Sequence, residues 1–168
     1  MKDKYKENMD AECESYYKDG GTKACGKDRE PEEYPTCVEV PEALDVRFFR
    51  CEVCGQVVAV LGTKGNPLTC CMREMQLLEP GTVEATAEKH IPVFEKMGHK
   101  VTVKVGEILH PMTKEHHIEW VCLVTNEGVQ WKNVKDCAEP IATFRLRTGE
   151  HVAAIYAYCN LHKLWKCC

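Results

Sequence analysis

The sequence predicts a mainly β protein in which a small metal-binding module precedes an antiparallel β-sandwich. Beyond Pro80, apolar and polar residues alternate with a period of two, as expected for strands that bury one face. The alternating segments are 101–105, 118–124, 142–146 and 152–158. Glycine-containing or polar turns separate them, and several short strands of this kind favour two packed antiparallel sheets. Residues 93–97 are the one segment that could instead form a short helix.

Four cysteines in the segment 46–79 predict the metal-binding module. Cys51 and Cys54 are separated by two residues, Gly55 follows them, and Cys70 and Cys71 are adjacent. Glycine after the second cysteine frees backbone N–H groups to point at sulfur, which stabilises thiolates. Four thiolates at this spacing predict a closed tetrahedral site. Zinc ribbons usually repeat the two-residue gap, which the adjacent pair does not, and at this point iron and zinc are both candidates. The metal could also serve only to fold a module too small for its own core.

A second set of candidate ligands is spread through the segments that follow. Cys159 and His162 are three residues apart, a spacing that lets a thiolate and an imidazole reach one ion from a single turn. His90 and two of the three histidines His110, His116 and His117 would supply the missing imidazoles. Closed structural zinc sites use four ligands, so a set of four imidazoles and one thiolate indicates a redox iron with an open sixth position.

Length and composition limit the class of protein. The chain has 168 residues, 44% of them apolar, which suffices for one ordinary domain and a small satellite. No stretch approaches the roughly 20 apolar residues of a membrane span, and the first residues lack the apolar core of a signal peptide. We therefore expect a cytoplasmic protein without a membrane segment. In a reducing cytosol, twelve cysteines indicate metal ligation rather than disulfides.

Charge is unevenly distributed along the chain. Residues 1–45 contain 7 Lys and Arg against 13 Asp and Glu, a net charge of −6, whereas the remainder has 15 against 13, a net charge of +2. No basic stripe is visible, so a nucleic-acid partner is not expected. The small positive net charge of residues 46–168 suits an anionic substrate but is only weak support for one.

Residues 1–45 form a polar, acidic segment with few branched apolar residues. This composition predicts an extension without a packed core of its own. Its three cysteines, Cys13, Cys25 and Cys37, lack the two-residue gap of a chelating pair. The alternatives for them are a third metal site, completed by Cys167 or Cys168, and adventitious or regulatory disulfides.

One further cysteine and the three tryptophans are interpreted as core residues rather than as metal ligands or catalytic groups. Cys122 lies inside a strong strand pattern and is interpreted as a small buried apolar residue, with metal ligation as the alternative. Trp120, Trp131 and Trp165 are expected in the core, and the alternative for Trp165 is that it covers the iron on its sulfur side.

From about Phe49 to Lys166, these motifs together resemble the desulfoferrodoxin family of superoxide reductases, in their order and spacing. The resemblance implies a desulforedoxin-like, rubredoxin-type iron module at 46–79. It also implies an immunoglobulin-like, seven-stranded catalytic domain at 80–168. The implied activity is one-electron reduction of superoxide to hydrogen peroxide, with electrons from rubredoxin or a similar carrier, and we expect a homodimer.

The resemblance also implies an arrangement of the ligands around a catalytic iron. Cys159 would be axial, and the equatorial imidazoles would be those of His90, His110, His116 and His162. The six-residue offset from His110 matches the family, which favours His116 over its neighbour His117. One departure is Lys163, which follows the last ligand where we expect a small residue in many relatives.

Two charged residues, Glu88 and Lys89, directly precede the candidate ligand His90. Lys89 is tethered close enough to the open position to steer a small anion and to hydrogen-bond the product, and the alternative is a solvated surface lysine. The resemblance implies that Glu88 binds the ferric ion after the product leaves. Its alternative is a loop carboxylate paired with Lys89.

Two other functions compete with superoxide reduction. One is a non-catalytic electron-transfer or redox-sensing iron protein, which an open coordination position disfavours because a carrier gains from a closed shell. The other is superoxide dismutation, which an electron-donating thiolate disfavours because the ferric form must then oxidise superoxide.

Overall fold

The computed structural model describes residues 44–62, 65, 67–81, 88–135 and 138–167. Residues 1–43 of the predicted extension, with their three cysteines, lie outside the described residues, as does Cys168. The described residues form twelve strands in four sheets, and every pairing between these strands is antiparallel. The mainly β prediction is confirmed.

Two small sheets form the part of the chain that carries the four clustered cysteines. The first has the order β2-β1-β5, and its strands are β1 (Val46–Arg50), β2 (Val57–Leu61) and β5 (Gln76–Leu77). The second is a hairpin of β3 (Thr69–Cys70) and β4 (Arg73–Glu74). These strands are short, so loops rather than sheet hold much of this region.

Seven strands in two sheets form the sandwich, as the resemblance implied. The three-stranded sheet has the order β10-β7-β6, with β6 at Pro92–Met97, β7 at Lys100–Val105 and β10 at Ile141–Arg145. The four-stranded sheet has the order β12-β11-β8-β9, with β8 at Ile118–Thr125, β9 at Val129–Asn133, β11 at Val152–Cys159 and β12 at Lys163–Cys167.

The alternative of a short helix at 93–97 is wrong. This segment belongs to β6, which pairs along its whole length with β7. Its first residues alternate between the core and solvent, since Pro92 and Phe94 are buried whereas Val93 and Glu95 are exposed. A tight turn at Gly98, with φ of 59°, connects the two strands. Pairing with a neighbouring strand therefore overrides the local preference of this segment.

The main core lies between the two sandwich sheets. Its fully buried members include Val103 on β7, Leu123 on β8 and Ile155 on β11. Cys159, at the end of β11, belongs to the same core and is 0% exposed. The packing of both sheets therefore holds Cys159, the candidate ligand on this strand, in place.

A second core covers the opposite face of the four-stranded sheet. Phe48 of β1 is only 1% exposed, and its ring lies 5.1 Å from that of Trp120 and 5.0 Å from that of Tyr156. Cys122 is 0% exposed in this cluster, in agreement with the prediction of a buried apolar residue. Trp131 departs from the expectation, because it lies on the edge strand β9 and remains 40% exposed. The small β1 sheet and the sandwich thus share one apolar interface.

An irregularity in strand pairing shapes the end of β11. Tyr158 pairs with Trp120, but the next residue, Cys159, pairs with Ile118, so one residue of β8 is left over. Such a bulge bends β8, the strand that has the extra residue, and changes the direction of the side chains beside it. The turn into β12 then requires a positive φ of 63° at Lys163. This conformation costs a non-glycine residue energy, and a small residue at this position in many relatives stays a prediction.

Candidate metal centres

Five of the predicted ligands converge at one end of the sandwich. Their nitrogen and sulfur atoms all lie within 4.8 Å of one another, and the residues are His90, His110, His116, Cys159 and His162, which together we call the five-ligand site. They come from five places in the fold: a helical turn before β6, the loop after β7, the loop before β8, the end of β11 and the turn into β12. The site therefore depends on long-range strand pairing.

The four imidazoles are arranged as the corners of a square. Nε2 of His90 lies 3.1 Å from Nε2 of His110 and 2.9 Å from Nδ1 of His162. Nδ1 of His162 lies 3.1 Å from Nε2 of His116. Two ligands bound at right angles to one ion, each at about 2.1 Å, would be separated by about 3.0 Å. The nitrogens are thus spaced as neighbouring ligands of a single ion.

The ring orientations support the same arrangement. Centroids of successive rings around the square are 4.4–4.8 Å apart, and their planes are inclined by 71–79°. The opposite pair, His90 and His116, is separated by 5.9 Å and inclined by only 30°. Each imidazole is therefore nearly perpendicular to its neighbours, which lets four rings approach one point without clashing.

The thiol of Cys159 lies beside the square. Its Sγ is 3.6 Å from Nδ1 of His162, and the backbone N–H of His162 donates to the sulfur over 3.4 Å. Burial raises the pKa of the Cys159 thiol, while N–H groups of His162 and Leu161 act in the opposite direction. A bound cation would stabilise the thiolate further, so the donor set fits a metal ion better than it fits a purely apolar pocket.

Burial also keeps two of the imidazoles in the neutral form that metal binding needs. It lowers the pKa of His110 to about 4 and the pKa of His116 below its usual value. Nδ1 of His110 donates to the carbonyl oxygen of Pro111 over 2.6 Å. That hydrogen bond places the proton on Nδ1 and leaves Nε2, the nitrogen facing the cluster, available as a ligand.

Trp165 contacts two of the candidate ligands and orients them. Its ring stacks on that of His90 with a centroid distance of 4.7 Å and an inclination of 24°. Its Nε1–H donates to the carbonyl oxygen of His162 over 3.1 Å. The indole therefore restrains one imidazole by packing and the backbone of another by a hydrogen bond.

Asn160 is a residue that sequence reasoning missed. Its side-chain amide donates to the carbonyl oxygen of Glu115 over 2.9 Å, and its oxygen accepts the N–H of His117 over 3.0 Å. These bonds bracket His116 and tie its loop to the turn that carries Cys159 and His162. Its position between two candidate ligands was the available signal, because Asn readily bonds to nearby backbone.

The structure places His116 in the five-ligand site and directs His117 elsewhere. Nδ1 of His117 donates to the carbonyl oxygen of Thr113 over 3.0 Å. Glu88 and Lys89 are exposed and lie in the same helical turn as His90. The charge of Lys89 also acts to lower the pKa of His116, after burial and the charges of His162 and His117. Contact of Glu88 or Lys89 with a metal or a substrate stays a prediction.

The four predicted cysteines of the small module form a second cluster. All four sulfurs lie within 4.8 Å of one another, and the residues are Cys51, Cys54, Cys70 and Cys71, which together we call the four-cysteine site. Sγ of Cys70 lies 3.6 Å from Sγ of Cys54 and 3.9 Å from Sγ of Cys71. Sulfurs at the corners of a tetrahedron around an ion at about 2.3 Å would be about 3.8 Å apart. The spacing fits a tetrahedral metal site.

Backbone conformation and hydrogen bonding prepare the four-cysteine site for a cation. Gly55, Cys71 and Met72 all have positive φ, of 78°, 51° and 60°. Two consecutive non-glycine residues in this region are costly, and such strain is typical of a ligand-binding turn. The backbone N–H of Cys54 lowers the pKa of Cys51 to about 6, whereas hydrogen bonding to Cys51 raises the pKa of Cys70 to about 12. Of these two thiols, that of Cys51 therefore ionises more readily.

Comparisons with known proteins match both sites to one family. The model of the desulfoferrodoxin N-terminal domain matches residues 41–78, and the model named desulfoferrodoxin matches residues 82–168. The desulfoferrodoxin of Syntrophotalea carbinolica is 41% identical over 124 residues, which cover 74% of this chain and 95% of that protein. The desulfoferrodoxin of Desulfarculus baarsii is 39% identical over 127 residues, which cover 76% of this chain and 98% of that protein.

A solved structure agrees with these sequence relatives. The superoxide reductase of Treponema pallidum superposes with a TM-score of 0.65 at 36% identity, over 74% of this chain and 98% of that one. Since the family models together span the two metal sites and the sandwich, this chain belongs to the desulfoferrodoxin family and carries both iron sites of its two-iron members, one of four histidines and a cysteine and one of four cysteines.

Proposed function

We propose that this protein is a superoxide reductase, which adds one electron and two protons to superoxide and releases hydrogen peroxide. The observation that carries the proposal is the square of four imidazole nitrogens with one cysteine sulfur beside it. Iron bound there supplies the electron and a coordination position for the substrate. The likeness to the Treponema pallidum protein, named a superoxide reductase, supports the same activity.

The charges of the two ligand sets suit different tasks. Four neutral imidazoles and one thiolate contribute −1, so a ferrous site would carry +1 and a ferric site +2. Four thiolates contribute −4, so the second site would carry −2 or −1. Only the first set leaves a positive charge that attracts an anion, and a positive site raises the local concentration of its substrate.

Two residues of the helical turn next to the square are proposed to act on the substrate. The ammonium of Lys89 would attract superoxide to the five-ligand site and donate a hydrogen bond to the product. The carboxylate of Glu88 would supply a further ligand to an iron held by the five-ligand site and exclude other anions. Their position beside His90, and the effect of the Lys89 charge on His116, support this assignment.

The electrons are proposed to come from a rubredoxin-like carrier. The four-cysteine site is accessible to such a partner because Cys54 and Cys71 are exposed, as is Met72 beside them. Whether this site relays electrons or only stabilises its module is decided by a Cys51→Ser variant supplied with an artificial reductant. Unchanged turnover in that variant would show that the relay is not obligatory.

We also propose that the protein forms a homodimer and that the boundary between its two modules lies at residues 79–80. Within the described residues, β2 lies at the edge of its sheet with five apolar residues and no charge, and such an edge favours pairing with a second copy. The shared apolar interface of β1 argues that the segments 46–79 and 80–168 fold as adjoining modules.

We also propose a cytoplasmic location, because clustered thiols persist in a reducing compartment. In the described residues no helix is long and apolar enough to cross a membrane.

The decisive experiment is the yield of dioxygen per superoxide consumed by the iron-loaded protein. A reductase releases no dioxygen, whereas a dismutase releases one molecule for every two superoxide ions. A protein that only carries electrons would consume superoxide no faster than free buffer does. Metal analysis with visible spectra of the oxidised and reduced protein should show two distinct thiolate-to-iron bands, one for each site.

A further inference from the structure

Gly106 lies where two ligand-bearing segments of the five-ligand site are joined by their backbones. It directly follows β7, and its N–H donates to the carbonyl oxygen of Ile91 over 3.1 Å. Two residues later, the N–H of Ile108 donates to the carbonyl oxygen of Glu88 over 3.3 Å. The loop that leads to His110 is therefore attached directly to the turn that ends in His90.

No side chain can be accommodated at Gly106. A Cβ atom there would lie 2.3 Å from the carbonyl oxygen of Ile108 and 2.6 Å from that of Lys89. Real Cβ atoms essentially never approach other atoms closer than 3.0 Å, so these two carbonyls would have to retreat by about 0.7 Å and 0.4 Å. Both obstacles are backbone atoms, which cannot swing aside as a flexible side chain would.

The two obstructing carbonyls belong to the two segments that carry neighbouring ligands. Lys89 directly precedes His90, and Ile108 lies two residues before His110, so a methyl group at Gly106 would act as a wedge between the segments. Nε2 of His90 and Nε2 of His110 are only 3.1 Å apart. Metal–ligand distances tolerate about 0.2 Å, which is less than either displacement.

The imidazoles have little freedom to compensate for such a wedge. The ring of His90 is stacked on Trp165 at a centroid distance of 4.7 Å, and Nδ1 of His110 is bound to the carbonyl oxygen of Pro111 over 2.6 Å. A displaced backbone would therefore carry its ring with it.

We propose that Gly106 is a positioning residue of the five-ligand site, and that its missing side chain sets the separation of His90 and His110 together with the placement of Lys89. The inference rests on the metal site of the proposed function but not on the reaction performed there. Gly106 has a φ of 86°, which by itself favours glycine. The lack of space for a Cβ atom is a second reason for glycine at this position.

The chain provides a matched control for the backbone conformation alone. Gly149, in the turn between β10 and β11, has a nearly equal φ of 83°, yet a Cβ atom there would meet nothing within 4 Å. Gly149→Ala should therefore incur the same conformational strain as Gly106→Ala without the wedge. Any difference between the two variants reports the contact with Lys89 and Ile108.

The test measures metal affinity in the full chain rather than turnover. Wild type, Gly106→Ala and Gly149→Ala are stripped of metal, and Co²⁺ is titrated in competition with a chelator while the absorption bands of both sites are followed. The four-cysteine site, which Gly106 does not contact, serves as the internal reference for folding. We expect Gly106→Ala to bind Co²⁺ about 10–100-fold more weakly at the five-ligand site, the range seen when support of a ligand is lost. Its affinity at the four-cysteine site, and both affinities of Gly149→Ala, should match the wild type.

Three outcomes would overturn the inference. Wild-type affinity at the five-ligand site of Gly106→Ala would show that the wedge is absorbed. Equal weakening in Gly149→Ala would assign the effect to backbone strain. Loss of both sites together with the β-sheet circular dichroism would assign Gly106 to the fold. A wild-type protein that binds metal at both sites but does not reduce superoxide would refute the proposed function and leave this inference standing.

Discussion

Phe48 should anchor the four-cysteine module to the sandwich, and truncating it to alanine tests that role. The side chain is 1% exposed and contacts the rings of three aromatic residues, Trp120, Trp131 and Tyr156, at centroid distances of 5.1, 6.0 and 5.0 Å. Buried Phe→Ala substitutions typically cost about 3–5 kcal/mol, because the transfer free energy is lost and a cavity remains. Each kcal/mol lowers the melting temperature of a chain of this size by about 2–4 °C, so Phe48→Ala should melt about 6–20 °C lower.

Phe49→Ala is the matched control on the same strand. The Phe49 ring is half-buried on the other side of β1, where the guanidinium of Arg47 lies 5.9 Å from its centroid. Its truncation removes the same number of atoms but leaves no enclosed cavity, so we expect a loss of about 1 kcal/mol. Thermal unfolding of the iron-loaded variants, followed by circular dichroism, measures both values.

The position of Phe48 also predicts which metal is lost first. Cys51 lies three residues further along the same segment, so a loosened β1 should weaken the four-cysteine site before it affects the five-ligand site, none of whose ligands lies on β1. Below the melting temperature, a chelator should therefore remove the four-thiolate iron of Phe48→Ala faster than that of the wild type. Equal melting temperatures for Phe48→Ala and Phe49→Ala would refute the reasoning.

Four further predictions concern the two metal sites. Cys159→Ser should abolish superoxide reduction while the absorption band of the four-cysteine site persists, and near-normal turnover by the pure, iron-loaded variant would contradict the proposed role of its sulfur. Cys51→Ser should lose the four-thiolate iron and destabilise the small module, as metal analysis and thermal unfolding will show. Lys89→Ile should slow association with superoxide by about 10–1000-fold and reduce its salt dependence, whereas Glu88→Ala should change only the spectrum of the oxidised protein; pulse radiolysis across a salt series separates these effects. The metal-free protein should lose stability as pH falls from about 6.5 to about 4, because the pKa of His110 is lowered to about 4 by burial, so the unfolded chain binds a proton that the folded one does not. Denaturant midpoints across this range provide the measurement, and they should fall less in a His110→Gln variant, in which the lowered pKa of His116 remains.

Local patterns in the sequence predicted much of the fold and the four-cysteine ligand set, whereas the family resemblance selected His116 for the five-ligand set. The pair of cysteines separated by two residues, the adjacent pair and the Cys159–His162 spacing are short-range features, which hold their ligand atoms together in almost any folded context. Alternation with a period of two likewise reports one buried face of a strand, and the segments from 101 to 158 form strands as expected. These features depend on the chain within a few residues, so the sequence by itself determined them.

Tertiary structure decided what depends on distant parts of the chain. Residues 93–97 form a strand because β7 pairs with them, and Trp131 is exposed because its strand lies at a sheet edge. The square of imidazoles, the hydrogen bonds of Asn160 and the wedge at Gly106 arise where segments from both sheets meet. The physical reason is that spacing along the chain fixes distances only within a turn, whereas the separation of His90 from His110 is set by packing and backbone hydrogen bonds between strands.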